Sequence, residues 1–273
     1  RYTAPVAADG SGALFMQMNR NKRSMTLDPM HKDARPVMRQ LIEQADIVVA
    51  NMPAATLQKM GLDFETLSSI NPRIILTTSS GFGMHGPWKD RVGFDGVGQV
   101  MSGAVYMTGE EDQPYRAAAP YVDFGTALHC AMGTLLAVMA REKTGRGQVV
   151  SGSLLATALT VNNGMLIEQA VTQVNRVPTG NRGQTSAPVD LYETTDGWIL
   201  CQVVGQPLFE RWARVLGDDY WLTDERFSSD DLRGQHGIVI SERMSQWCSG
   251  RSSEEALTIL GEAKIPCAPV LTP

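Results

Sequence analysis

The run from Ala127 to Ala140 is the feature that most limits how this chain can fold. Phe124, Leu128, Met132, Leu135 and Met139 recur at intervals of three and four, which is the period of a helix, and the other side is Ala and Gly rather than charge. Such a pattern predicts a long helix covered on all sides. Asp123 stands at its mouth, and Thr144-Gly145-Arg146-Gly147-Gln148 ends it. A helix start offers unpaired N–H groups and the positive end of a dipole, so a carboxylate there is held as an anion and a developing oxyanion could be met by the same groups. Asp is also among the commonest helix caps, so placement alone leaves a cap and a nucleophile both open.

Upstream, Met25-Thr26-Leu27 reads as a short strand and Asp33 as the cap of a helix sharing Val37, Met38, Leu41 and Ile42 on one face. Ile47-Val48-Val49-Ala50 is a buried strand. The order repeats with a helix over residues 63–70 and a strand over 73–77, which predicts a parallel sheet with flanking helices. The glycines of Ser79 to Pro87 let backbone approach a ligand where open α/β sheets bind, or form a plain turn. No G-x-G-x-x-G and no Walker lysine occurs. Beyond Gln148 come a strand at Val149-Val150, a helix around Leu154 to Ile167, and a hairpin of residues 189–192 and 198–204. Helices over 207–216, 240–248 and 253–261 complete a smaller α+β domain. The division expected is a large domain over 1–176 and a smaller one over 177–273.

Of 273 residues, 43% are hydrophobic and 19% charged, and the formal charge is −5. The slight acidity, with no block of Lys and Arg, argues against nucleic acid. No signal peptide and no unbroken apolar stretch of membrane-spanning length is visible, so the expectation is a cytoplasmic protein without a membrane partner. The four cysteines are far apart in apolar settings and read as buried free thiols, not bridges or metal ligands.

Several motifs lie in one order along almost the whole chain: Asn19 to Ser24, Ala45 to Val49, Asn71 to Ile75, Ser80 to Gly83 with Gly86-Pro87, Asp123 with the turn Arg141 to Gln148, Gly180-Asn181, Asp196-Gly197-Trp198, and Ile265 to Val270. In this the sequence resembles the class III (CaiB/BaiF) CoA-transferase family. The resemblance implies a Rossmann-like fold whose subunits interlock as a homodimer, with coenzyme A or acyl-CoA as substrate, a carboxylic acid as acceptor, no tightly bound cofactor and no metal. It implies that Asp123 is the nucleophile. By alignment it assigns CoA contacts to Lys59 first, then Asn51 and Met52, Leu27, Met60 and Arg91. Gly125, Gly183 and Gln184 become candidates for oxyanion contacts or a lid. Some members carry a cation where Met30 or Met52 stands here.

Arg1 is not an initiator Met, and by the same resemblance both ends are expected to be clipped. Relatives that racemise α-methylacyl-CoA place a His where this chain has Phe94, and a phenyl ring moves no proton. His129 lies six residues after Asp123, about 600° round the helix and so on another face. Racemisation therefore ranks second, and a non-catalytic CoA-binding paralogue third.

Overall fold

In chain order the computed structural model, which describes residues 7, 8, 10 and 12–273, contains α1 (Ala13–Met18), α2 (Ala34–Gln44), β1 (Ile47–Ala50), α3 (Ala54–Met60), α4 (Phe64–Ile70) and β2 (Ile75–Ser80). Then follow α5 (Asp95–Met101), α6 (Ala104–Thr108), α7 (Tyr121–Thr144), β3 (Val149–Ser153), α8 (Leu154–Val161) and α9 (Asn163–Thr172). The last part holds β4 (Val189–Glu193), β5 (Trp198–Gln202), α10 (Gln206–Leu216), α11 (Asp230–Gln235), α12 (Gly237–Ser249), α13 (Ser253–Glu262) and β6 (Cys267–Pro269). The chain divides in space into two compact units. One takes the residues up to Ser79 together with Cys130–Ser151, and the other takes Ser80–His129 together with Gly152–Pro273. Each unit is thus assembled from separated stretches, where the sequence suggested one cut at residue 176.

In the first unit β1, β2 and β3 form a sheet in that order, with β1 and β2 parallel and Ile47 opposite Ile75. Ile42, Leu57, Leu67, Ile74 and Leu76 make its core. Asp63 caps α4 by accepting from the Thr66 N–H at 3.0 Å, as expected of an Asp before an apolar turn. Residues 22–28 form no strand, although Met25-Thr26-Leu27 alternates: no neighbouring strand pairs with them, and alternation without a partner leaves the backbone to water. The loop expected up to Gly12 falls largely outside the described residues.

The second unit carries the antiparallel sheet β4-β5-β6. Its core gathers Phe209, Trp212, Trp221, Phe227, Met244 and Trp247, and Trp212 stacks on Phe209 at 5.3 Å. Cys201 and Cys248 are buried in this core as free thiols. The single helix expected over 154–167 is two, because Asn162 breaks the run, its side-chain amide donating to the Ser102 carbonyl at 2.7 Å.

Within this one chain, helix α7 is covered on one side only. Its buried stripe is Val122, Thr126, Cys130, Thr134, Ala137 and Arg141, residues that are small or polar. The large apolar stripe read from the sequence faces outward: Leu128 is 72% exposed and Leu135 66%, and Phe124, Met132 and Met139 are also exposed. The reason is close approach. The Thr134 hydroxyl meets that of Thr77 at 2.6 Å, and a Cβ on Gly133 would lie 2.8 Å from a Val150 methyl, so this side leaves no room for Leu or Met. Arg141 is buried at the far end, with Asp46 at 3.0 Å and the Arg73 carbonyl at 3.1 Å. The turn that follows is explained in full: Gly145 takes a left-handed φ of 70°, and at Gly147 any side chain would collide with the Ile74 carbonyl. By length and composition, α7 is long and apolar enough to cross a membrane.

Candidate active site

Asp123 is the third residue of α7 and is exposed. Its surroundings begin with α5. The side chain of Asp95, 6% exposed, accepts the backbone N–H groups of Val122 at 2.9 Å and Asp123 at 3.1 Å. Gln99, one helical turn on, donates its side-chain amide to Asp95 and accepts the Ala117 N–H at 3.0 Å. The first turn of α7 is therefore capped from outside the helix, by a carboxylate. Packing locks this in place: a Cβ on Gly98 would lie 2.9 Å from Val122, which itself packs with Leu154 and Ala158.

This arrangement reverses one expectation from the sequence. The Asp123 carboxyl is pushed above the ordinary carboxylate range, first by partial loss of water and second by the charge of Asp95. Of the N–H groups expected to stabilise its anion, those of Val122 and Asp123 go to Asp95 and that of Phe124 goes to the Pro120 carbonyl. Tyr121 is raised for the same two reasons. The oxyanion candidates are also committed elsewhere. Gly125, the fifth helical residue, lies past the four N–H groups a helix leaves unpaired. Gly183 donates its N–H to the Val189 carbonyl at 2.6 Å, and a Cβ there would strike Val189. The Gln184 amide donates to the Val177 carbonyl at 2.8 Å. Gly183 and Gln184 line a cavity of about 540 Å³ with Arg182 and the Glu168–Arg176 ion pair.

The CoA contacts assigned by resemblance fall in both units. In the first, Lys59 and Met60 line a cavity of about 430 Å³ with Met30, Arg35, Arg39 and Gln58. Arg39 is paired with Glu43 at 2.9 Å, whereas Arg35 and Lys59 have no ion-pair partner among the described residues. A polyanion would find two uncompensated cations there. Asn51 and Met52 follow the end of β1, Asn51 exposed and Met52 packed on the core, and Leu27 is half-buried; none of the three lines this cavity. Arg91 belongs to the second unit, where its guanidinium lies 4.3 Å over the Trp88 ring. Gly81, one of the glycines expected to admit a ligand, instead admits Gly93, since a Cβ on Gly81 would fall 2.9 Å from the Gly93 Cα. Phe94 caps α5 and is 75% exposed, and His129 lies 3.3 Å from the Thr157 hydroxyl. Among the described residues no group of His, Cys, Asp and Glu could hold a metal ion.

The sequence profile of CoA-transferase family III matches residues 1–273. The chain belongs to this family. It is 31% identical over 255 residues to succinyl-CoA–D-citramalate CoA-transferase of Chloroflexus aurantiacus, covering 93% of this chain and 63% of that protein. It is also 31% identical to a formyl-CoA:oxalate CoA-transferase of a Bradyrhizobium species, with 94% and 66% covered. The fold matches the crystal structure of a CaiB/BaiF family protein from Brucella suis with a TM-score of 0.84 and 28% identity, over 99% of this chain and 73% of that one. The chain thus spans somewhat under two thirds of the first of these curated relatives. Asp95, Gln99 and Arg35 had escaped the sequence reading of a site in this class III CoA-transferase family member. The signal available was the i,i+4 spacing of Asp95 with Gln99 and of Arg35 with Arg39, which puts each pair on one helix face.

Proposed function

We propose that this protein moves CoA between carboxylic acids, with Asp123 as the nucleophile. The observation that carries the reading is an exposed carboxylate of raised proton affinity, fixed at the start of α7 in a chain of the CoA-transferase family. An Asp123 oxygen attacks the donor thioester carbonyl; the C–S bond breaks, CoA leaves as thiolate, and a mixed anhydride forms. The thiolate attacks the Asp123 carbonyl, the anhydride C–O bond breaks, and the donor acid departs as carboxylate. That leaves an aspartyl-CoA thioester. The acceptor carboxylate attacks this thioester to give a second anhydride and thiolate, and thiolate attack on the acceptor carbonyl frees Asp123. No water is consumed, so both intermediates need shelter from it. Lys59 and Arg35 are the proposed partners of CoA phosphates.

The chain is proposed to work as a homodimer, a second copy covering the outer face of α7. Protein suits this face better than lipid, since exposed Asp123 and His129 interrupt it and charge in hydrocarbon is costly. The named relatives act on dicarboxylic and short acids, and the acceptor is proposed from that chemical class. The test is incubation with succinyl-CoA and a panel of acceptor acids, followed by intact-mass analysis. Wild type is expected to gain a covalent adduct mapped to Asp123, and Asp123→Asn to show neither adduct nor transfer. Full turnover by that variant would refute the assignment.

A further inference from the structure

Among the described residues Asp95 is the only Asp or Glu that is buried, and no cation is paired with it. Its oxygens are met by the Val122 and Asp123 N–H groups and by the Gln99 amide, all neutral donors. A buried, unpaired carboxylate is costly, and a neutral Ser or Asn would cap a helix as well. The charge itself therefore calls for a reason. The other ionisable groups around it do not supply one. Tyr121 is neutral in the ordinary range and pushed further up. Arg116 lies against Gly96 of α5 but gives its guanidinium to the Ala117 carbonyl at 3.1 Å. His129 turns to Thr157.

We propose that Asp95 is a positioning residue for Asp123: it pins the first turn of α7 and, as a fixed negative charge, makes the neighbouring carboxylate more reactive and favours its acylated, neutral forms. This rests on the proposed role of Asp123 as nucleophile. The physical logic has two parts. Two like charges repel while Asp123 is free, and that repulsion vanishes when its oxygen becomes part of an anhydride or its carbonyl part of a thioester. Meanwhile the N–H groups that would have calmed the anion are occupied. The free enzyme is thus held above the energy an ordinary helix-start Asp would have, and covalent capture relieves it. Gln99 keeps Asp95 in place and ties the Ala117 segment to it.

Carbon-13 NMR of protein labelled at aspartate carboxyls, with Asp123 assigned through Asp123→Asn, tests this without relying on turnover. Asp95→Asn keeps an acceptor for both N–H groups and removes the charge, at the loss of the oxygen that meets the Gln99 amide. Its Asp123 titration midpoint is expected about half a pH unit or more lower than wild type. The acid limb of kcat/KM should move the same way, and kcat should fall about threefold while KM changes less than twofold. Asp95→Ser, an ordinary neutral cap, should behave alike if the first variant fails to fold. In wild type, the Asp95 carboxyl signal should shift as Asp123 titrates. An Asp123 midpoint unmoved by a folded neutral variant, or an Asp95 signal blind to the titration of Asp123, would overturn the proposal. Coupled carboxylates in a protein that transfers no CoA would instead leave it standing and remove the transferase reading.

Discussion

Helices α10 and α7 solve opposite problems with similar residues. In α10 the large side chains Phe209, Trp212 and Leu216 point into the core, and charged Glu210, Arg211 and Arg214 point away. In α7 the inner face is Thr, Cys, Ala and one buried Arg, and the Leu and Met side chains face out. The apolar area of α10 is consumed by its own chain, whereas that of α7 is left for something else to cover. A helix that packs by close backbone approach cannot also bury long side chains on the same side, so its bulk goes outward. The contrast teaches that an apolar stripe marks where burial is wanted, without saying which chain supplies it. Asp123, the proposed nucleophile, sits on the helix whose outer face is unfinished.

Breaking the closed core should have the largest effect. Trp212→Ala is expected to cost about 3–5 kcal/mol in urea unfolding, because the ring is wholly buried against Phe209 and Trp221. Filling the tight side of α7 comes next: Thr134→Leu should cost about 1–3 kcal/mol, losing the bond to Thr77 and crowding its neighbours. If that substitution stabilises the protein, the inner and outer faces have been misassigned. On the outer face, Leu135→Glu should leave the circular dichroism spectrum native and lower the mass seen by light scattering from two copies to one, with only about 0.5 kcal/mol lost from the single chain. A monomeric wild type would remove the contrast drawn here between the two helices.

Two smaller effects come from protonation. Burial holds the Cys248 thiol up to about 12 against an ordinary 9. While the unfolded chain ionises above pH 9 and the folded one does not, the unfolded state gains, so stability falls as pH rises from about 9 towards 12. Cys248→Ser should lessen that fall in pH-dependent melting without abolishing it, because burial also raises Cys201 and Tyr192. For Asp123 the carboxyl is raised, so the folded chain is favoured while it is protonated and loses that advantage as pH climbs through the folded value. At neutral pH Asp123→Asn should therefore melt slightly higher than wild type, by about 1–3 °C, even as activity is lost.

Much of the scaffold was legible. Ile47–Ala50, residues 63–70 and the hairpin of β4 and β5 declare themselves through local signals, a β-branched run, an Asp cap and a polar four-residue turn, although the first of these strands exposes Ile47 and Val49 where burial was expected. The long helix and its Gly-x-Gly end were equally plain, as was the carboxylate at its start. Met25-Thr26-Leu27 misled because a strand exists only with a partner. The site was legible as single residues, and its interactions were not. Asp95 lies 28 residues before Asp123, and nothing in the intervening sequence says that its oxygens will take the N–H groups there. The same holds for Arg35, which lines one cavity with Lys59 from 24 residues away.

What the chain order alone determined is most of the elements and the place of Asp123 at the start of α7, since helix period, caps and glycine turns act over a few residues and need no distant partner. Which side of α7 is inside, and whether Asp123 is calmed or provoked by its surroundings, was decided only in three dimensions. Those outcomes depend on distances between residues far apart in sequence, where a methyl against a glycine or one carboxylate beside another reverses what local pattern predicts.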